Sequence, residues 1–345
     1  MSIDLGEFGS LANADDAPAC DERALWRYDP EESYSDWTLI VKYKVNDSDY
    51  KEETYHVHKS ALATGPRRSQ YFAKMFQASL ETKENVESKC TLEVLEEAAL
   101  NVPELLDFLY GEPSSSFKIC WFTAVPLRFW ANYLGIEELF KETSAFIQSH
   151  MSSIYCCTMF LRQASIFQDE KVLHASYQCC VEEFNSLAVG ALSPIPLELF
   201  QDISLNADCD SMKLSQHVAI YCWRNADHID KDFLSPLATV TKMPIVDPLA
   251  APLLLKFALE TSLDSDVDHE SSLVSRCIKA MENDMKEKKE RCGLNTLESK
   301  QAFRSLDQEL QIRIMKRLGQ IACNQPAGLG GRIAEIAFGE DASSN

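Results

Sequence analysis

The apolar residues of this chain change their period once, and that change fixes the kind of fold it can adopt. In Trp37-Thr-Leu-Ile-Val-Lys-Tyr-Lys-Val45 the odd positions Trp37, Leu39, Val41, Tyr43 and Val45 are apolar. That two-residue repeat belongs to a strand with one buried face. Asn46-Asp-Ser-Asp49 supplies turn residues, and Tyr55 and Val57 resume the alternation, so a hairpin is expected. Lys59-Ser-Ala-Leu-Ala63 reads as a short helix stopped by Gly65-Pro66. Ser69 then caps a second helix carrying Tyr71, Phe72, Met75 and Phe76. Val86, Ser88, Cys90 and Leu92 alternate once more and predict a third strand.

Beyond that point the spacing is helical. Pro103 suits a helix start, Leu105, Leu106, Phe108, Leu109 and Tyr110 follow, and Gly111 is the stop. Ser114-Ser-Ser116 reads as a loop. A helix from Val125 to Leu134 should end at Gly135, and Ile136-Glu-Glu-Leu139 opens another that runs to about Met151. Residues 152 to about 230 hold several amphipathic helices and no convincing strand, a pattern of antiparallel helix pairs. Pro236, Pro244, Pro248 and Pro252 should keep helices short between 231 and 260. Val274, Ile278, Met281, Met285, Lys288 and Cys292 repeat with spacing 4-3-4-3-4. This is the spacing of a short coiled-coil seam, serving either a partner or the preceding domain. Asn295 with Glu298 resembles a capping box for a last helix bearing Phe303, Leu306, Leu310, Ile314 and Leu318. Residues 340–345 are expected to fray.

Composition removes several classes of function. With 46% hydrophobic and 25% charged residues, 345 residues can bury a substantial core. The formal charge of −20 repels phosphate backbones, so no direct nucleic-acid partner is expected. The run 286–291 alternates in sign and reads as a solvated helix face. No apolar run is long enough for a membrane span, and the acidic start does not read as a secretory signal. A cytoplasmic protein, or a nuclear one, is therefore expected. The twelve cysteines lack CxxC spacing. Neighbours such as Cys156-Cys157 and Cys179-Cys180 point about 100° apart on a helix, so small buried thiols are expected and no metal. Asp36, His56, His58 and Cys90 are the one set from which a Cys-His-Asp centre might be drawn, but no nucleophile motif or glycine-rich phosphate loop accompanies them. No catalytic residue and no cofactor are expected.

Several spaced blocks carry a family resemblance. Ser35-Asp36 opens the first strand and Val57-His58-Lys59 closes the second. Leu62-Ala63 lies in the short helix, and Ser69, Phe72 and Phe76 mark the next. Leu105-Leu106-Asp-Phe-Leu-Tyr110-Gly111 and Trp130-Ala-Asn-Tyr-Leu-Gly-Ile136-Glu-Glu-Leu139 follow in order. Over 34–151 these resemble the BTB/POZ family. The helices from Ser152, with segments at Cys157 to Phe167, Leu173 to Phe184, Leu197 to Ile203 and His217 to Trp223, resemble the BACK domain that often follows it. The implied class is α+β, mainly α. An acidic, disordered or loosely docked tail (1–33) precedes a BTB/POZ domain (34–151). A BACK-like all-α domain (152–260) and C-terminal helices (261–345) come after it. Trp26 and Tyr28 in the tail have the character of docking residues.

The resemblance implies a homodimer paired through the first strand and first helix, with Asp36, Lys59 and Leu62 at the interface. It further implies an adaptor that brings a target protein, not identified by the sequence, to a cullin ubiquitin ligase. The family's cullin-contact loop, an apolar-x-Glu motif after the second helix, falls on Leu80, Glu81 and Thr82. Thr82 stands where the motif has Glu, and Glu84 lies near. That departure supports an alternative, a dimeric scaffold or regulatory protein that contacts no cullin.

Overall fold

The computed structural model describes residues 25–45, 49–78, 82–111, 117–261, 263, 271–286 and 296–323. The chain divides into two compact units, 1–145 and 146–345.

The first unit is built on a three-stranded sheet. Strands β1 (Trp37–Lys44) and β2 (Tyr50–Val57) are antiparallel, with Trp37 opposite Val57 and Lys44 opposite Tyr50. The Val45 N–H donates to the Asp49 carbonyl at 2.9 Å and closes the hairpin. Strand β3 (Lys89–Val94) pairs parallel to β1 on the other side, Leu39 opposite Cys90, giving the order β2-β1-β3. The alternation does its expected work, since Trp37, Leu39, Val41 and Tyr43 are all buried.

Seven helices precede α8, which begins this unit's last turn. A short α1 (Pro30–Ser33) comes before β1. Helices α2 (Lys59–Ala63), α3 (Gln70–Gln77) and α4 (Lys83–Glu87) connect β2 to β3. Parallel strands need a crossover of this kind. After β3 come α5 (Glu96–Ala99), α6 (Val102–Tyr110), α7 (Ala124–Leu134) and α8 (Glu137–His150). The third strand therefore starts at Lys89, not at Val86. Residues 83–87 form a helical turn, Ser88 closes it at φ 50°, and Val86 is exposed. Helix α7 is the central helix, and its Trp130 is buried and donates Nε1–H to the Ala98 carbonyl at 2.8 Å. It ends where the sequence says it must. Gly135 adopts φ +65°, and a Cβ there would lie 3.0 Å from Gln70 Cβ.

The described residues of the second unit form helices joined by turns and loops, with no strand. Its helices are α9 (Ile154–Phe167), α10 (Glu170–Glu182), α11 (Leu197–Asn206), α12 (Ser211–Arg224), α13 (Lys231–Leu237), α14 (Ala251–Glu260), α15 (Leu273–Lys286), α16 (Leu297–Arg304) and α17 (Gln308–Cys323). Helices α9 and α10 pack together, α14 packs on α12, α15 and α16, and α17 packs on α15. Asp169, Asp210 and Asp230 cap α10, α12 and α13 through backbone N–H groups. Phe200, Tyr221 and Phe233 stack at the centre, the first two rings 3.9 Å apart.

One C-terminal expectation is corrected, and the seam follows one of its two alternatives. The cap of α16 is Thr296, which accepts from Ser299 N at 3.1 Å, while Asn295 lies outside the described residues. The 4-3-4 seam of α15 is not a free stripe. Val274, Ile278 and Met281 are buried in the core of their own unit, with Leu254, Phe257, Ile314 and Leu318 among its members. An apolar stripe of that spacing buries itself against whichever helices reach it first, here those of its own chain. The Met285 side chain, Lys288 and Cys292 lie outside the described residues.

Candidate interaction surface

Part of the expected N-terminal tail is folded. Residues 25–27 form a 3-10 turn and 30–33 a helical one, capped by Asp29. The Trp26 ring meets Tyr55 edge-on at 5.8 Å, and its Nε1–H reaches Asp107 Oδ1 at 3.1 Å. Arg27 lies over the Trp26 ring and pairs with Asp107 at 2.5 Å. Only residues 1–24 of that tail lie outside the described residues.

His58 ties this segment to the core. Its backbone N–H donates to the Tyr110 hydroxyl at 2.7 Å, and its Nδ1 lies 2.9 Å from the same oxygen. Its Nε2 is 2.7 Å from the Ser33 carbonyl. The network assigns the proton to Nε2, with Tyr110 O–H donating to Nδ1. Burial pushes Tyr110 up to about 12, so the hydroxyl keeps its proton. The imidazole is a structural pin, as expected for a histidine at a helix start.

The three residues assigned to a dimer interface have distinct roles within one chain. Asp36 Oδ1 accepts the Lys59 backbone N–H at 2.8 Å and so caps α2. The Lys59 ammonium sits over the rings of Trp37 (4.7 Å) and Phe76 (5.6 Å), a cation–π arrangement. Within one chain the contact between the two residues is thus one carboxylate–backbone bond. Leu62 is 0% exposed and fully used in the core, so it is not a surface contact. Asp36, His58 and Cys90 do not assemble a catalytic set either. Cys90 Sγ receives Trp37 Nε1–H at 3.4 Å, and burial raises its thiol.

Helix α3 positions the most prominent surface of this unit. Ser69 caps it by accepting from Phe72 N at 3.2 Å, and donates its hydroxyl proton to the Leu134 carbonyl at 2.7 Å. This fixes α3 against the end of α7. Phe72 then points inward, while Tyr71, 37% exposed, faces out beside Tyr133 of α7, 44% exposed. Their rings are 6.3 Å apart, and Phe129 stacks on Tyr133 at 5.8 Å. Burial raises the Tyr71 hydroxyl, and Cys90, Tyr133 and Glu84 add to the effect. Glu84 is exposed on α4.

Residues 28–151 match the family model for the BTB/POZ domain. The chain carries a BTB/POZ domain. No curated protein matches the chain. The match begins inside the N-terminal segment that His58 pins down and ends at the last residues of α8, so it covers the sheet and the aromatic strip. A BTB/POZ domain is a protein-interaction module, and its presence supports a protein-interaction and dimerisation role.

Of the expected cullin-contact loop of the BTB/POZ domain, Leu80 and Glu81 lie outside the described residues. Thr82 is half-buried at the N-cap of α4, and its hydroxyl has no hydrogen-bond partner. Asn85 donates to the Met75 carbonyl at 3.2 Å and ties α4 back to the end of α3. The sequence missed the strip itself. Tyr71 belongs to the run Tyr71, Phe72, Met75, Phe76, and periodicity alone does not say which of these residues face outward.

Outside the BTB/POZ domain, Cys156, Cys157, Cys180, Cys222 and Cys277 are buried, while Cys179 and Cys209 are partly exposed. A hydrogen bond with Cys180, followed by burial, raises Cys157, and burial raises Cys222 and Cys277. Among the described residues no group of three His, Cys, Asp or Glu side chains is placed to hold a metal, and no helix is long and apolar enough to cross a membrane. His217 on α12 is 1% exposed and packs 4.8 Å from the Phe184 ring; neither ring nitrogen has a partner at ordinary hydrogen-bond geometry, and the Leu187 backbone only partly offsets the burial. Burial, then the charge of Lys213, lowers it to about 4.

Proposed function

We propose that this chain is a self-associating adaptor that docks a helix of a cullin on the aromatic strip of its BTB/POZ domain and delivers a target protein to a ubiquitin ligase. The observation that carries the reading is the strip formed by Tyr71 of α3 with Phe129 and Tyr133 of α7, α3 being the helix that leads toward the Leu80-Glu81-Thr82 loop. Exposed tyrosines grouped on packed helices are typical anchors of protein interfaces, because they bury much area at little entropy cost. Glu84 offers a carboxylate next to the place where the family motif has one. The second unit would carry the target protein. The chemistry of this reading is recognition throughout.

A second reading keeps self-association and drops the cullin. Thr82 favours it, because its hydroxyl is turned into the protein instead of offering a charge to a partner. The two readings separate in one titration. The full-length chain is titrated with a cullin N-terminal domain, alongside the double variant Tyr71→Ser, Tyr133→Ser and the single variant Glu84→Gln. The adaptor reading expects binding by the wild type, weakened at least about tenfold in the double variant with the oligomeric mass unchanged. No binding by the wild type supports the scaffold. Loss of self-association in the double variant would show that the strip is the dimer contact instead.

A further inference from the structure

Residues 42–44, 50, 93–95, 129 and 133 line a groove of about 400 Å³ beside the ends of β1 and β3. Its walls are aromatic and apolar: Tyr50, Leu95 and Tyr133 are exposed, with Phe129 between them and α7 behind. Its rim holds two cations, Lys42 and Lys44, against one carboxylate, Glu93, in a chain of net charge −20, and Lys44 already makes an interaction of its own. Lys42 is engaged only by an exposed pair with Glu52 at 3.5 Å and by the Tyr50 ring at 5.2 Å. Surface pairs of that kind exchange partners at little cost. The groove thus fits a short segment that combines acidic and large apolar residues.

This chain contains such a segment. Ile3-Asp-Leu-Gly-Glu-Phe-Gly-Ser-Leu11 interleaves Asp4 and Glu7 with Ile3, Leu5, Phe8 and Leu11. Residues 1–24 carry six acids, Asp4, Glu7, Asp15, Asp16, Asp21 and Glu22, against the single base Arg23. The tether permits the contact. The chain becomes described at Leu25, where Trp26 packs on Tyr55 of β2. Tyr50, at the groove, lies five residues along that strand, or about 17 Å. The 14 residues from Leu11 to Leu25 extend to about 46 Å. A tethered segment acts at an effective concentration in the millimolar range, so weak contacts suffice.

We propose that residues 3–11 dock in this groove of the same chain, with Asp4 and Glu7 toward Lys42 and Lys44 and Leu5 and Phe8 among Tyr50, Leu95, Phe129 and Tyr133. Because Tyr133 also belongs to the aromatic strip, the docked segment competes with any partner that uses that residue. The inference stands without the cullin, and its test contains none.

The experiment is zero-length carbodiimide cross-linking of the full-length protein, using a mixture of unlabelled and isotope-labelled chains. Mass spectrometry then reads which carboxylates have formed amides with which lysines. Expected are Asp4 or Glu7 joined to Lys42 or Lys44, with both peptides from the same isotopic population. The variant Leu5→Ser, Phe8→Ser keeps every charge and should lower that yield about fivefold or more through lost apolar contact. The proposal is overturned by amides formed only between labelled and unlabelled chains, which place the segment on a second copy. It is equally overturned by their absence at Lys42 and Lys44, or by an unchanged yield in the variant.

Discussion

His217 should make the second unit acid-sensitive, and the size of the effect follows from its surroundings. The imidazole is buried against Phe184, the Leu187 backbone offsets this only in part, and its folded-state value falls from 6.5 to about 4. Above pH 6.5 the ring is neutral in both states and contributes no pH dependence. Below 6.5 the unfolded chain takes up a proton that the folded chain refuses, so stability falls as pH falls, until the folded ring protonates near 4. The linkage integral gives a loss of about 2 kcal/mol at pH 5 and about 3 kcal/mol at pH 4, relative to pH 7.5. Other groups titrate over the same range, so the comparison is with His217→Leu, a substitution of similar bulk that cannot protonate. Hydrogen exchange read on peptides from α12 reports the opening free energy of this unit separately from the BTB/POZ domain. The wild-type value minus the variant value should fall by about 2 kcal/mol between pH 7.5 and pH 5. A difference that stays flat across that range would refute the argument, because it would mean that the ring finds a proton acceptor or solvent.

Three substitutions test other parts of the structure. Tyr110→Phe removes the oxygen that serves both His58 N–H and Nδ1, and should cost the BTB/POZ domain about 1–3 kcal/mol in denaturant unfolding. Ser69→Ala removes the cap of α3 together with the bond to Leu134 O, a loss of about 1–2 kcal/mol, seen as a lower thermal midpoint. Val274→Asp places an unpaired charge in the core of the second unit and should destabilise it by about 3–5 kcal/mol, visible as lost exchange protection in α14 and α15. If the variant instead stays fully protected and only its oligomeric mass halves, the seam is a contact between chains.

The sequence carried the local structure well wherever one residue type has one physical use. Alternation placed Trp37, Leu39, Val41 and Tyr43 inside, Ser69 capped, and Gly135 stopped α7 because only glycine tolerates its left-handed turn so close to Gln70. It was less informative where the deciding partner lies far away. Trp26 and Arg27 are ordered by Asp107, about 80 positions on, and no local pattern signals that pairing. Val86 kept a strand-like spacing by coincidence while its neighbours closed a helical turn. The stripe Val274, Ile278, Met281 announced that it would be buried but not against what, since a heptad seam and the inner face of a packed helix share the same spacing. The aromatic strip was hidden for a related reason. Tyr71, Phe72, Met75 and Phe76 spread over an arc of about 140° on the helix, and tertiary packing chose Tyr71 at one edge of it to remain outside.

The central claim, an adaptor working through its BTB/POZ domain, is tested most directly by purifying the full-length chain from its native cells under ligase-stabilising conditions and measuring by mass spectrometry the amount of each protein that accompanies it. The account predicts a cullin in near-equal amount to the chain. Recovery of the chain with itself and other proteins, and no cullin, would contradict the adaptor and leave a dimeric scaffold.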